Sequence, residues 1–332
     1  MMKFKYWLML ALINLSIFQI SASAQPSKTF KIATSVQANG TAGKLLKQFA
    51  DNVEKRSKGS IKFKIFHGGI LGNQLQYFQH IQRGVIDIGL INSASLESVI
   101  PSLGVMNMPY LFRSVEEYRE VMNNKNFRQT LFQSAKKHNF GFLGYISSDF
   151  RSIYSTKPIK SFHDLAALRL RTISSPTYME MLSRFGAVPT ALSFGELYAG
   201  MQQGVVDGAE GGIAGIHQAK FSDVAKHVLV TEHTRLTDFV ISSIKFEQSL
   251  SAAEREIISE EFSIISNKSI DFAEQGEKLA IKKLIAEEGV TFYPVDKAIL
   301  MDAVKPMYLA EMQDEEKAPL LKAIFKIEGR EF

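Results

Sequence analysis

Arg171 is the residue in this sequence best placed to do chemistry. It closes the run Leu168-Arg169-Leu170-Arg171-Thr172, whose alternation predicts a short strand. A guanidinium keeps its proton at any ordinary pH. Its planar fork of donors matches a carboxylate in a two-point contact. Period two puts Arg169 and Arg171 on one face, so two arginines on the wet side of a half-buried strand is an equally plain reading. Position separates them, because in open α/β sheets ligands sit beyond the carboxyl ends of strands and only Arg171 stands at that end. Arg151, in Asp149-Phe150-Arg151-Ser152, adds a second donors-only head or else pairs with Asp149. Two such heads predict an anionic ligand with more polar groups than one carboxylate, a dicarboxylate or a sugar acid. A neutral sugar would leave a buried guanidinium unpaired. Glu210 and Asn92 supply groups suited to hydroxyls or a second polar end. Ser35, Gln74 and Asn92 fall at strand ends or the next helix start, where simple turn chemistry also accounts for them. Phe194 follows a helix N-cap and offers its ring either to a ligand body or to its own helix as a staple.

The motifs of common enzyme classes are absent: no G-x-S-x-G, no phosphate-binding P-loop, no H-E-x-x-H and no G-x-G-x-x-G. The seven histidines are scattered; His227 and His233 flank a strand-like run without metal-ligand spacing, so no metal site is expected. There is no cysteine, which excludes disulfides, thiolate metal sites, Fe–S clusters and cysteine nucleophiles. No cofactor is expected. The rival to a binding protein is an exported enzyme acting on an organic acid. Its acid–base set would be Glu210 with His217 or His233.

Positioning these residues takes strands that alternate with helices, the pattern of an α/β fold with mostly parallel sheets. Phe30 to Ser35 alternates, Thr41 to Ser57 has helical spacing closed by Gly59, and Ser60 to Phe66 alternates again. Gln74 to Arg83 is helical, Gly84 ends it, and Val85 to Ile91 reads as a buried strand. Phe140 to Ser147 and Phe150 to Thr156 read as two further strands. Ser175-Pro176 starts a helix with proline at its first position, and Ser193-Phe194-Gly195-Glu196 is a capping box. Gln82-Arg83-Gly84-Val85-Ile86-Asp87 and Gln202-Gln203-Gly204-Val205-Val206-Asp207 are two units of one design, which suggests two lobes of the same architecture. Ser251 to Glu288 carries Ile257, Ile258, Phe262, Ile265 and Phe272 at helical spacing, as one long helix or two joined between Asn267 and Gly276.

The first residues combine Lys3 and Lys5, an apolar run from Tyr6 to Ile20, and Ser21-Ala22-Ser23-Ala24. That is the layout of a secretory signal peptide over residues 1–24. The apolar run is shorter than the roughly 20 residues a membrane span needs. Without a cysteine to carry a lipid, the mature chain is expected to be soluble. The net charge of +5 falls to +3 without Lys3 and Lys5, too weak and dispersed for nucleic acid. The remaining length suits two domains of ordinary size.

The Arg171 strand, with Phe194-Gly195-Glu196-Leu197-Tyr198 and Gln203-Gly204-Val205-Val206-Asp207-Gly208, resembles the DctP-type solute-binding proteins of TRAP transporters. The resemblance covers essentially the whole mature chain. It implies a two-lobed periplasmic binding protein, type II-like, with a long helix lying across both lobes. Lobe I would take residues 25–148 with 237–276, and lobe II residues 149–236 with 277–332. It implies that Arg171 captures the ligand carboxylate, that Arg151 is the second arginine of members taking larger acids, and that Phe194 packs on the ligand body. Gly211 stands where the family often has asparagine after glutamate, which removes one ligand hydrogen bond or opens space for a larger ligand. Asn92 occupies a place where members binding polyhydroxylated acids carry glutamate. The implied partners are a small organic acid and the membrane permease subunits. A ligand-bound protein that docks on a sensor kinase instead of a permease fits the same pattern, and a monomer is expected.

Overall fold

The computed structural model describes residues 27–330. Residues 1–24, expected from the sequence to be a signal peptide, lie outside them. Among the described residues nine strands form one mixed sheet: β1 (Lys28–Thr34), β2 (Ile61–Phe66), β3 (Ile88–Asn92), β4 (Phe140–Ser155), β5 (Arg169–Thr172), β6 (Val188–Ala191), β7 (Gly208–Gly212), β8 (His227–Ser243) and β9 (Thr291–Pro294), in the order β2-β1-β3-β8-β4-β7-β5-β6 with β9 alongside β8. At its centre two long strands, β4 (Phe140–Ser155) and β8 (His227–Ser243), run antiparallel. On one side β1 (Lys28–Thr34) lies parallel to β2 (Ile61–Phe66) and β3 (Ile88–Asn92). On the other, β5 (Arg169–Thr172) lies parallel to β6 (Val188–Ala191) and β7 (Gly208–Gly212). The expected parallel pairing therefore holds in each flank, and an antiparallel ribbon joins the two. Helices cover the flanks, as expected for an α/β binding-protein fold.

The two repeated sequence units do the same work in each flank. Gly84 and Gly204 take φ of 67° and 69°, ending α2 (Gln74–Gln82) and α7 (Leu197–Gln202) in the left-handed region that glycine adopts without cost. Val85 and Val205 are then exposed, while Ile86 and Val206 are buried. Asp87 Oδ2 accepts from the backbone N–H of Lys31 at 2.7 Å, and Asp207 Oδ2 from that of Arg169 at 3.0 Å. Each carboxylate thus pins the neighbouring parallel strand. The turn also delays β3, which begins at Ile88 and not at Val85 as the apolar run suggested.

Phe140 to Ser155 is one strand, not two. Its register against β8 shifts at Phe142/Gly144, Ser147/Phe150 and Arg151/Ile153, and such bulges bend a strand without ending it. β8 pairs with β9 (Thr291–Pro294) through residues 227–230 and with β3 through residues 238–242.

The long apolar pattern is a single helix, α10 (Ala252–Ala286), opened by the Ser251–Glu254 capping box and unbroken at Gly276. At 1.5 Å per residue it is about 52 Å long. Its first half feeds one core, with Ile258, Phe262 and Ile265 against Leu45, Phe49 and Ile32; the Phe49 and Phe262 rings stack at 3.8 Å. Its last turns feed another, with Ala280 and Leu284 against Leu197, Ile216 and Phe221. Among the described residues no helix is long and apolar enough to cross a membrane.

Candidate functional site

A cavity of about 620 Å³ opens between the two flanks of the sheet, within the size range of small-molecule sites. All eight residues singled out in the sequence line it: Ser35, Gln74, Asn92, Arg151, Arg171, Phe194, Glu210 and Gly211.

Arg171 reaches it from the carboxyl end of β5 and is only 4% exposed. Among the described residues its guanidinium donates one hydrogen bond, from Nε to the Leu192 carbonyl at 2.9 Å, and makes no ion pair. Burial lowers its pKa from the usual arginine value, the Arg151 charge adding to this, and Glu210 and Tyr154 oppose the shift. The group remains a cation, desolvated and without a counter-ion. Arg169 turns the other way in effect: it is exposed and grips Asp207 through Nε and Nη2.

Arg151 is buried too, but its charge is already answered. Its Nε donates to Glu210 Oε2 at 2.5 Å and its Nη2 to the Glu210 carbonyl at 3.0 Å. Glu210 also accepts from Thr172 Oγ1 at 2.9 Å and is fully buried. Its carboxyl is held far below the usual carboxylate range: the Arg151 charge and its hydrogen bonds outweigh the burial that would raise it. Arg151 is shifted upward in turn, Glu210 and its hydrogen bond outweighing burial. The alternative pairing of Arg151 with Asp149 is not formed. Asp149 accepts instead from the Ala214 N–H, at the start of α8 (Ile213–Gln218).

On the opposite wall Gln74 bridges two neighbours. Its Nε2 donates to Ser35 Oγ at 3.0 Å and its Oε1 accepts from the Asn92 N–H at 2.9 Å. Asn92 also caps α3 (Ser93–Glu97) by accepting from the Ser95 N–H. Turn and capping chemistry therefore coexists with a position on the cavity wall.

Phe194 is 37% exposed and meets Phe221 edge-on at 5.3 Å, and Phe221 stacks with Tyr154 at 6.0 Å. These rings form an aromatic wall of which the sequence indicated only Phe194. The room beside Gly211 is not left open: a Cβ there would lie 3.1 Å from Tyr154 Cε1 and 3.3 Å from its hydroxyl oxygen. An asparagine would have to displace that ring. Tyr154 escaped the sequence reading because period two sets it on the opposite face from Arg151, and the register shift after Arg151 brings both to the cavity. Asp238 escaped because it stands in the middle of β8, away from any strand end, turn or cap.

Of the histidines considered with Glu210, His217 binds Glu288 at 2.5 Å. His233 Nε2 lies 3.5 Å from Glu210 Oε2, but the ring is fully buried, and burial lowers its pKa against the pull of Glu210.

A two-lobed α/β fold with a cleft between its flanks, walled by aromatic rings and a buried unpaired arginine, defines a small-molecule binding protein of the periplasmic type. The chain belongs to the bacterial extracellular solute-binding proteins, family 7 (DctP), whose family model matches residues 32–315. It is 33% identical over 259 residues to the protein YiiZ of Salmonella typhimurium, covering 77% of this chain and 79% of that one. It is 26% identical over 288 residues to the C4-dicarboxylate-binding protein DctB of Bacillus subtilis, covering 86% and 82%. Among solved structures it is similar to a TRAP periplasmic solute-binding protein from Anaerococcus prevotii with bound D-glucuronate. There the TM-score is 0.87 and the identity 26%, over 91% of this chain and 99% of the other.

Proposed function

We propose that this chain is the periplasmic capture subunit of a TRAP transporter, exported by a cleaved signal peptide. It binds a carboxylate-containing solute, a sugar acid or a dicarboxylate, and hands it to membrane permease subunits. The observation that carries this reading is Arg171, buried at 4% exposure, unpaired, and facing a cavity of about 620 Å³. A desolvated guanidinium without a counter-ion is costly to maintain in the empty protein. A ligand carboxylate supplies both the charge and the fork geometry it lacks. The relatives support the solute class, since one binds C4-dicarboxylates and another holds D-glucuronate.

Closure completes the reading. The lobe division expected from the sequence, 25–148 with 237–276 and 149–236 with 277–332, is kept as part of this proposal. The chain crosses between them in β4, in β8 and along α10. The lobes rock about these crossings, exclude water and strengthen the ion pair. Catalysis is not assigned to the site. Glu210 is engaged by Arg151, and His233 is a fully buried ring 3.5 Å from it with its pKa lowered by burial, an arrangement that speaks for a structural role over an acid–base pair.

Calorimetry with D-glucuronate and with succinate tests the central claim. Arg171→Ala should weaken whichever acid binds by about two to four decades, the equivalent of roughly 3–5 kcal/mol for an unpaired buried charge. Binding within a few fold of the unmodified protein would remove Arg171 from the site.

A further inference from the structure

The charges lining the cavity are unequal. Arg151 and Arg171 are its two cationic side chains, whereas Asp149, Glu196, Glu210 and Asp238 are acidic. Three of the acids are engaged: Glu210 by Arg151 and Thr172, Asp149 by the Ala214 N–H, and Glu196 by the Ser193 N–H and hydroxyl. Asp238 is not. It is half-buried on β8, where the register sets it across from Asn92 on β3 and Ile146 on β4. Among the described residues its carboxylate has no ion pair and no hydrogen-bond donor. The nearby Tyr77 hydroxyl is spent on the Leu90 carbonyl. Burial pushes the Asp238 carboxyl up to about 7, with the Arg151 charge pulling the other way.

The empty site thus presents one unanswered cation, Arg171, and one unanswered acceptor, Asp238. We infer that Asp238 is a specificity-determining ligand contact, which accepts a hydroxyl of a polyhydroxylated monocarboxylic acid and excludes dicarboxylates. This deepens the proposed function and rests on Arg171 taking the ligand's one carboxylate. A second carboxylate would find no free guanidinium, because Glu210 already occupies Arg151, and it could sit beside Asp238 only if one of the two carboxyls took up a proton. A hydroxyl at that end meets an acceptor lacking a donor. The neighbouring groups, Asn92, Ser35 and Gln74, are neutral amides and a hydroxyl, suited to further hydroxyls of the same molecule. Discrimination built on hydrogen-bonding buried polar groups is strong because the wrong ligand leaves them unpaired.

D-glucuronate and D-glucarate share a carbon skeleton and differ at one end, where the second carries another carboxylate. Calorimetry should show the unmodified protein binding D-glucuronate or D-gluconate at least about 100-fold more tightly than D-glucarate. Asp238→Asn and Asp238→Ser, each checked for cooperative thermal unfolding, should bring that ratio to within about threefold, by weakening the monoacid and sparing or improving the diacid. Equal binding of D-glucarate by the unmodified protein, or an unchanged ratio in both variants, would overturn the role of Asp238. So would preference for an amino acid of similar length over the hydroxy acids. Arg171→Ala keeps the two readings apart. If it abolishes binding while the Asp238 variants leave the ratio unchanged, only the Asp238 inference fails. If it leaves binding intact, or if no acid of the set binds, the proposed function fails as well.

Discussion

Arg151 on β4 and Arg171 on β5 are the same residue type lining one cavity, with β7 between their strands, and their environments give them opposite roles. Arg151 is locked to Glu210, with a second bond to the Glu210 carbonyl and the Tyr178 ring 5.6 Å from its guanidinium carbon. Arg171 has a single neutral acceptor. Stability should therefore respond in opposite directions. Glu210→Ala leaves Arg151 buried without its partner and should cost about 3–5 kcal/mol in denaturant unfolding. Arg171→Gln removes an uncompensated charge and should leave the ligand-free protein as stable as before, or more so. A loss of similar size in both variants would show that Arg171 is held for the fold and not for a ligand.

At the scale of elements, α10 decides how the two flanks are joined. It presents apolar residues to one core through its first half and to another through its last turns. Near its middle it carries Glu274, paired with the buried Arg235 at 3.0 Å, and Glu277 one turn on. Burial pushes Glu277 up to about 8, with Asp149, Glu274 and Glu232 adding repulsion and Arg235 opposing them. A raised carboxyl pKa means that the folded chain holds this proton more tightly than the unfolded one. The resulting stabilisation is complete below about 4.5 and is lost as pH climbs through about 8. Glu277→Gln keeps the protonated shape at every pH. It should leave the melting temperature unchanged at pH 4.5 and raise it at pH 9 by about 2–4 °C, the shift worth ~1 kcal/mol in a chain of this class. An equal shift at both pH values would mean that the charge is irrelevant.

For the whole molecule, the proposed lobes are connected by three passages of chain, and two of them are bulged strands of the central ribbon. Three connections restrict relative motion to a hinge, and the bulges at Ser147/Phe150 and Arg151/Ile153 stand beside the cavity that a hinge would close. Small-angle scattering should show a smaller radius of gyration once the cognate acid saturates the site. An unchanged curve at saturation would mean that the two flanks are rigidly fixed and that capture proceeds without closure.

Much of this protein is determined locally and is legible without a structure. Capping boxes, glycines at helix ends and alternating strands depend on neighbours within a few residues. They located most elements, and the paired Gly-Val-Ile-Asp and Gly-Val-Val-Asp turns revealed the twofold plan. Strand polarity placed Arg171 at the end of its strand that opens on the cavity, and the family resemblance pointed to other residues that line it. Which charges are free was decided only by tertiary structure. Glu210 lies 59 residues from Arg151, and β-strand register alone brings them together. Tyr154 fills the space beside Gly211 because a bulge turns it there, and a bulge follows from two strands fitted together. Asp238 had no local signal, since an acid in the middle of a strand gains its meaning from the cavity that segments distant in sequence enclose. Local rules fix the elements because the backbone's own hydrogen bonds and sterics act at short range. The balance of charge in the cleft belongs to the assembled sheet, because desolvation and Coulomb energy depend on everything that surrounds a group.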